Sequence, residues 1–212
     1  MSDFTYENKE CNKTGNIYER YEWDNVWIEY AIGHTGYHVL YIGDSISCQT
    51  RRIATAQTEE RILFDGFGTS KGIDNPYFKN AIDVFAKQLP ATDLVIFNNG
   101  LHGYHLNDTE EYGFYYEEMV RFLMERFQNV PLYIALTTCV RNEDEMKRMI
   151  QRNKTASEIA DRHQIPVIDL FTITAENKHL LKEDGVHFLP EGYELVASTI
   201  IDAISGALPK RW

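Results

Sequence analysis

The sequence predicts an α/β protein, a three-layer α/β/α sandwich with a central, mostly parallel five-stranded sheet, and three observations lead there. Five short apolar runs recur along the chain, and they are continuous rather than alternating, as parallel strands buried on both faces must be. The segments between them carry apolar residues at spacings of three and four, the signature of helices with one buried face. Strand and helix alternate in order, so right-handed crossovers place helices over both faces of the sheet.

The elements follow in sequence. "HVLYI" (38–42) is the first predicted strand, "RILF" (61–64) the second and "DLVIF" (93–97) the third, with "NPYFKNAIDVFAKQL" (75–89) as the helix between the second and third. A long helix over 110–127 leads to the strand "PLYIAL" (131–136), and another over 143–163 leads to "IPVIDL" (165–170). The closing helix, 190–208, opens with Pro190 and Glu191, which suit a first helical turn, and places Leu195, Val196, Ile200 and Ile204 on one side. Residues 1–37 stand outside the pattern: "IYERYEWDNVWIEYAIGHTGY" holds two Trp and four Tyr. This aromatic segment is expected to pack on a single domain spanning 38–212, and it serves equally as a cover for a site or as a subunit interface.

Composition narrows the function. At 212 residues with 43% hydrophobic and 25% charged residues, the chain can bury one sizeable core. A formal net charge of -11, with no basic run longer than a pair, leaves nothing for phosphate neutralisation, so nucleic acid is excluded as a partner. The N-terminus has no apolar h-region and no run of about 18 apolar residues occurs, so the sequence reads as cytoplasmic, with no membrane partner, unless a leader has been removed. Cys11, Cys48 and Cys139 are widely spaced and lack a C-x-x-C pairing, which suits a reducing compartment and argues against structural zinc. Cys48 reads as a small, partly buried side chain near a helix start.

The chemistry-bearing stretch is "YIGDSISCQT" (41–50), which sets Ser45 just past the first strand. In an open parallel sheet ligands bind beyond the carboxyl ends of the strands, so a serine there is either a helix N-cap or a nucleophile. A second stretch, "EDGVHF" (183–188), lies before the closing helix. Asp184 and His187 are three residues apart, so one turn can aim the carboxylate at one imidazole nitrogen and leave the other facing a neighbour. A serine hydroxyl needs a base to take its proton, and the base needs a third group to fix its tautomer; Ser45, His187 and Asp184 supply these catalytic roles.

Together, "GDSIS" early and "DGVHFLPEGY" late resemble the SGNH, or GDSL-like, hydrolase family of esterases and lipases, over roughly residues 38–205. Gly43, Asp44 and Ser45 match the nucleophile block, and Asp184 and His187 the terminal block. The resemblance implies the same three-layer, flavodoxin-like fold, an acyl-enzyme mechanism and no cofactor. It also implies an oxyanion hole built from the Ser45 amide, a glycine after the second strand and an asparagine after the third. For the glycine, "FDGFGTSKG" (64–72) offers Gly66 and Gly68, of which Gly68 is chosen. The third block departs from the family's Gly-x-Asn-Asp: in "FNNGLHG" (97–103), aligned on Gly100, His102 stands at the asparagine's place and Gly103 at the aspartate's. An imidazole can donate as an amide does, and Asn98 is a second candidate donor.

His102 and His105 also form an H-x-x-H beside Asp108 and Glu110, but a glycine-containing loop does not force both rings onto one face, and no metal site is expected. His34, His38, His163 and His179 have no partner motif and read as surface or structural residues.

The loops near the site are polar or aromatic rather than broadly apolar, which favours short acyl groups over fatty ones. Trp23, Trp27 and Tyr104, with Tyr18, Tyr21 and Tyr77 behind them, offer flat faces for a sugar ring, or else pack as core and lid. The family includes carbohydrate acetylesterases, so the expected partner is a small-molecule or carbohydrate ester, acetyl above all. The alternatives are a lysophospholipase or acyl-thioesterase on longer chains, and a catalytically weak glycan-binding protein. The oligomeric state is not legible.

Overall fold

A computed structural model describes residues 10–11, 17–19, 21–33 and 35–208. The central sheet has six strands in the order β3-β5-β4-β6-β7-β8. These are β3 (Asp24–Trp27), β4 (Tyr37–Gly43), β5 (Ile62–Thr69), β6 (Leu94–Phe97), β7 (Leu132–Ala135) and β8 (Val167–Ile168). A separate two-stranded antiparallel ribbon joins β1 (Glu10–Cys11) to β2 (Ile17–Tyr18). The five expected strands are all present and parallel, in the doubly wound order that puts the second strand outside the first.

The sixth strand, β3, corrects the five-stranded expectation. It comes from the aromatic N-terminal segment and runs antiparallel along β5, with Asp24 opposite Thr69 and Trp27 opposite Gly66. Its four residues are all exposed, so it has no buried face and hence no apolar pattern to reveal it. The strand β5 is also twice as long as "RILF" implies, running through Asp65, Gly66 and Gly68. Asp65 is buried against His38, with Nδ1 and Oδ2 2.8 Å apart, and it accepts the Glu29 N–H at 2.8 Å, which ties the turn after β3 to the sheet. Gly66 leaves room for a helix side chain: a Cβ there would lie 2.0 Å from Arg51 Nη1. Glycine inside this strand therefore marks close approach rather than a loop.

The strands alternate two apolar faces. Leu40, Ile42, Val95 and Phe97 pack on α2 (Phe78–Ala86), α3 (Thr109–Arg126) and α4 (Glu143–Arg162). Val39, Tyr41, Leu94 and Ile96 pack on α1 (Ser45–Gln57) and the last helix. A short helix unforeseen in the sequence, α5 (Leu170–Glu176), precedes that last helix, α6 (Pro190–Ile204). In α6 the buried residues are Gly192, Tyr193, Val196, Ala197, Ile200 and Ile204, so Ala197 completes the buried face and Leu195 lies at its margin.

Helix starts are chemically marked. Asp108 caps α3 by accepting from the N–H groups of Glu110 and Glu111, and Asn142 caps α4 by accepting from Asp144 and Glu145. Among the described residues, no helix is long and apolar enough to cross a membrane.

Candidate active site

Ser45 is the first residue of α1, directly beyond the carboxyl end of β4. The N-cap is Asp44, whose Oδ1 accepts the Ile46 N–H at 2.8 Å. Capping is thus carried out by the neighbour, and the Ser45 hydroxyl is left for another partner. That partner is His187 Nε2, 2.8 Å from Ser45 Oγ across 142 positions of sequence. On its other side, His187 Nδ1 lies 2.9 Å from Asp184 Oδ2. The Ser45 N–H, in the first helical turn, has no intrahelical acceptor and sits at the positive end of the helix dipole.

The turn that carries Asp184 and His187 is fixed from several directions. Asp184 Oδ1 accepts the N–H groups of Val186 and His187, each at 2.9 Å. Gly185 has φ +74°, and a Cβ on it would lie 2.8 Å from Arg141 Cβ, so both conformation and space require glycine. Arg141 donates its own N–H to the Gly185 carbonyl at 2.8 Å and its guanidinium to the Glu183 and Leu181 carbonyls. Partial burial opposes ionisation of Asp184, yet the two backbone donors and the His187 ring together hold its carboxyl below the usual aspartate range. Asp184 therefore stays ionised and fixes the His187 proton on Nδ1, which leaves Nε2 to accept from the serine.

The other expected residues fall into place unevenly. Gly68 lies in β5 rather than in a loop, opposite Gly43 on one side and Asn25 on the other. It faces the nucleophile turn: a Cβ at Gly68 would lie 2.2 Å from Cys48 Sγ, 3.3 Å from the Asp44 carbonyl oxygen and 3.6 Å from the Trp23 ring. Asn98 is engaged elsewhere, its side-chain nitrogen donating to the Ala135 carbonyl at 2.8 Å and to Thr137 Oγ1 at 3.0 Å. An amide nitrogen has two hydrogens, and both are spent there, so the Asn98 side chain has no donor left for an oxyanion. His102 is the remaining side-chain candidate; its ring is buried and meets Trp23 edge-on, centroids 6.0 Å apart.

Two further residues shape this loop, and neither was legible in the sequence. Glu19, in the N-terminal segment, places Oε2 2.9 Å from His102 Nδ1 and accepts the Gly103 N–H on Oε1 at 3.1 Å. Arg152, buried on α4, donates to four carbonyls of one loop, those of Gly100, His102, Gly103 and Leu106, at 2.6–2.9 Å. The loop is also narrow by necessity, since a Cβ on Gly100 would lie 1.9 Å from Thr137 Oγ1. Glu19 and Arg152 stand 83 and 50 positions from His102, so no local spacing announces them.

Of the aromatic candidates, Trp23 lies at the site, next to Gly68 and edge-on to His102. Trp27 stacks under Arg52 at 5.5 Å and pairs with Gly66, two residues back along β5 from Gly68. Tyr104 lies against the Arg148 guanidinium at 4.0 Å. Tyr21 and Tyr77 are exposed, and the Tyr18 side chain and His34 fall outside the described residues. His105 Nε2 pairs with Asp74 Oδ2 at 2.6 Å, and among the described residues no cluster of three His, Cys, Asp or Glu side chains is placed to hold a metal ion. Cys48 is half-buried and Cys139 buried, both free.

No protein-family model matches the chain, and no curated protein matches it in sequence. Solved structures do match. The lipase/acylhydrolase from Enterococcus faecalis is 20% identical, covering 83% of this chain and 99% of its own, with a TM-score of 0.62. A member of the lipolytic protein G-D-S-L family from Veillonella parvula is 17% identical over 80% of this chain and 99% of its own, with a TM-score of 0.62. An acetylxylan esterase from Geobacillus stearothermophilus is 16% identical over 80% of this chain and 95% of its own, also at 0.62. With these neighbours the fold is identified: the chain is built on the fold of the SGNH, or GDSL-like, hydrolases.

Proposed function

We propose that the protein is a serine esterase that hydrolyses short-chain acyl esters, acetyl esters first, carried on a carbohydrate. The observation that carries this reading is the relay from Ser45 Oγ through His187 to Asp184, with links of 2.8 and 2.9 Å. In the first half-reaction His187 Nε2 takes the Ser45 proton as Oγ bonds to the ester carbonyl carbon, and the carbonyl electron pair moves onto oxygen. The amides of Ser45 and Gly68, with His102, are the donors assigned to that oxyanion. Collapse breaks the bond to the alcohol, which leaves with the proton from His187. Water, deprotonated by the same imidazole, then attacks the acyl-enzyme and releases the acid.

Support for a short acyl group comes from Trp23, whose ring lies beside Gly68 and meets the His102 ring edge-on, an aromatic wall next to the assigned oxyanion donors. Support for an acetylated sugar comes from the similarity in fold to acetylxylan esterases. The test is the hydrolysis of 4-nitrophenyl acetate, butyrate and octanoate by wild type and Ser45→Ala. Acetate fastest and an inactive, folded mutant is the expected result; a mutant as active as wild type refutes the nucleophile. Octanoate fastest would point instead to the longer-chain lysophospholipase or thioesterase reading.

A further inference from the structure

We propose that His102 serves the oxyanion hole as an imidazolium, with Glu19 of the N-terminal segment as the positioning residue that holds its Nδ1–H and so turns Nε2–H to the substrate. This inference rests on the esterase reading and specifies the charge of its hole. The geometry leaves one route. The Glu19 carboxylate takes the Nδ1 position at 2.9 Å and the Gly103 N–H at 3.1 Å, so ring and backbone are gripped together. Nε2 is then the only ring nitrogen free, with no partner among the described residues. In a neutral ring with its proton on Nδ1, Nε2 would present a lone pair to the oxyanion and repel it. Only the doubly protonated ring donates there.

The surroundings fit a cation. Glu19 and Glu22 face the ring from the N-terminal segment and Asp44 from the head of α1. Among the described residues Asp44 Oδ2 is buried without a hydrogen-bond partner; burial pushes this carboxyl up, and the His102 ring is the leading influence that favours its charged form. Burial works against the protonated ring, but the Glu19 hydrogen bond and these carboxylates outweigh it and push His102 above the usual histidine range. The cations nearby point elsewhere: Arg152 is spent on loop carbonyls and Lys71 on Asp24, although Lys71 also acts on Glu22. Asp74 is paired with His105 on the flanking loops.

A cation there explains how the asparagine's place can hold histidine and still support an oxyanion, since a charged donor is roughly twice as strong as a neutral one. It also makes the hole titrate, which an asparagine hole does not. The N-terminal segment, with no triad residue, becomes part of the machinery.

The experiment is the pH profile of 4-nitrophenyl acetate hydrolysis and of fluorophosphonate labelling at Ser45, for wild type, Glu19→Gln and His102→Asn, with the His102 ring followed by nitrogen NMR. Wild type is expected to lose about a hundredfold in rate on the alkaline side as the Nε2 proton leaves. His102→Asn should lose that alkaline limb, and Glu19→Gln should move it down by about 1–3 pH units. An alkaline limb unchanged in His102→Asn, or a wild-type ring found neutral where Ser45 is most reactive, would overturn the inference while leaving the esterase reading intact. Wild type that neither turns over esters nor labels at Ser45 refutes the esterase reading and this inference together.

Discussion

Arg152 stands on α4, away from Ser45, yet holds the loop that presents His102. Consider Arg152→Met, which keeps much of the side-chain length and removes the guanidinium. The carbonyls of Gly100, His102 and Leu106 lose their donors at once, and that of Gly103 keeps only the Leu106 N–H at 3.1 Å. A buried acceptor stripped of its partner costs about 1–3 kcal/mol, so the three left bare imply, taken singly, a loss of about 3–9 kcal/mol. Against that, burial already pushes the Arg152 guanidinium down from the usual arginine value, and removing it recovers this desolvation. The stacking of the guanidinium on Tyr112, 4.6 Å from the ring centre, is also lost. A net destabilisation of about 3 kcal/mol is the working figure, equivalent to a Tm drop of about 6–12 °C for a domain of this size.

Relaxation of the loop should also carry His102 away from the oxyanion, lowering kcat by about 10²-fold with KM little changed. Thermal unfolding and ester hydrolysis on the same preparation give both numbers. Arg152→Lys is the control, because a single ammonium cannot reproduce the planar fork and should recover only part of either loss. If Arg152→Met melts within about 2 °C of wild type and keeps its kcat, the guanidinium does not hold the loop.

Other outcomes follow from the same geometry. Asp184→Asn should cut kcat by up to about 10⁴-fold, because an amide no longer fixes the His187 tautomer, while leaving Ser45 in place. Asp184 is held below its ordinary value, so its contribution to stability is complete above that value and is lost as the pH falls through the depressed one; melting between pH 5 and 2 should be steeper in wild type than in Asp184→Asn. Gly68→Ala, with its Cβ 2.2 Å from Cys48 Sγ, should cost about 1–3 kcal/mol in denaturant unfolding. Adding Cys48→Ala should recover most of it, and a double mutant no better than the single would show the strain lies elsewhere. His38→Leu strips the partner from Oδ2 of the fully buried Asp65, whose Oδ1 keeps the Glu29 N–H, and should cost about 1–3 kcal/mol by the same assay, relieved in part by adding Asp65→Asn.

The core architecture and the candidate residues Ser45, Asp184 and His187 were legible in the sequence by itself, for the same physical reason in each case: the information is local. A strand such as Leu94–Phe97, buried on both faces, must be a continuous apolar run, and the turn that joins Asp184 to His187 needs only four residues and a glycine with positive φ. The N-cap alternative for Ser45 was resolved by the structure alone, because Asp44 and Ser45 are adjacent and both residue types cap helices. Tertiary structure likewise decided what depended on distant partners or on exposed backbone. The edge strand Asp24–Trp27 buries no face, and the glycines of β5 read as a loop until Arg51 and Cys48 are seen filling the space above them. Asn98 looks like an oxyanion donor until Ala135 and Thr137 take both its hydrogens. Glu19 and Arg152 acquire meaning only where folding brings them to the loop of His102, since a hydrogen bond is fixed by angstroms in space and leaves no periodicity in the chain.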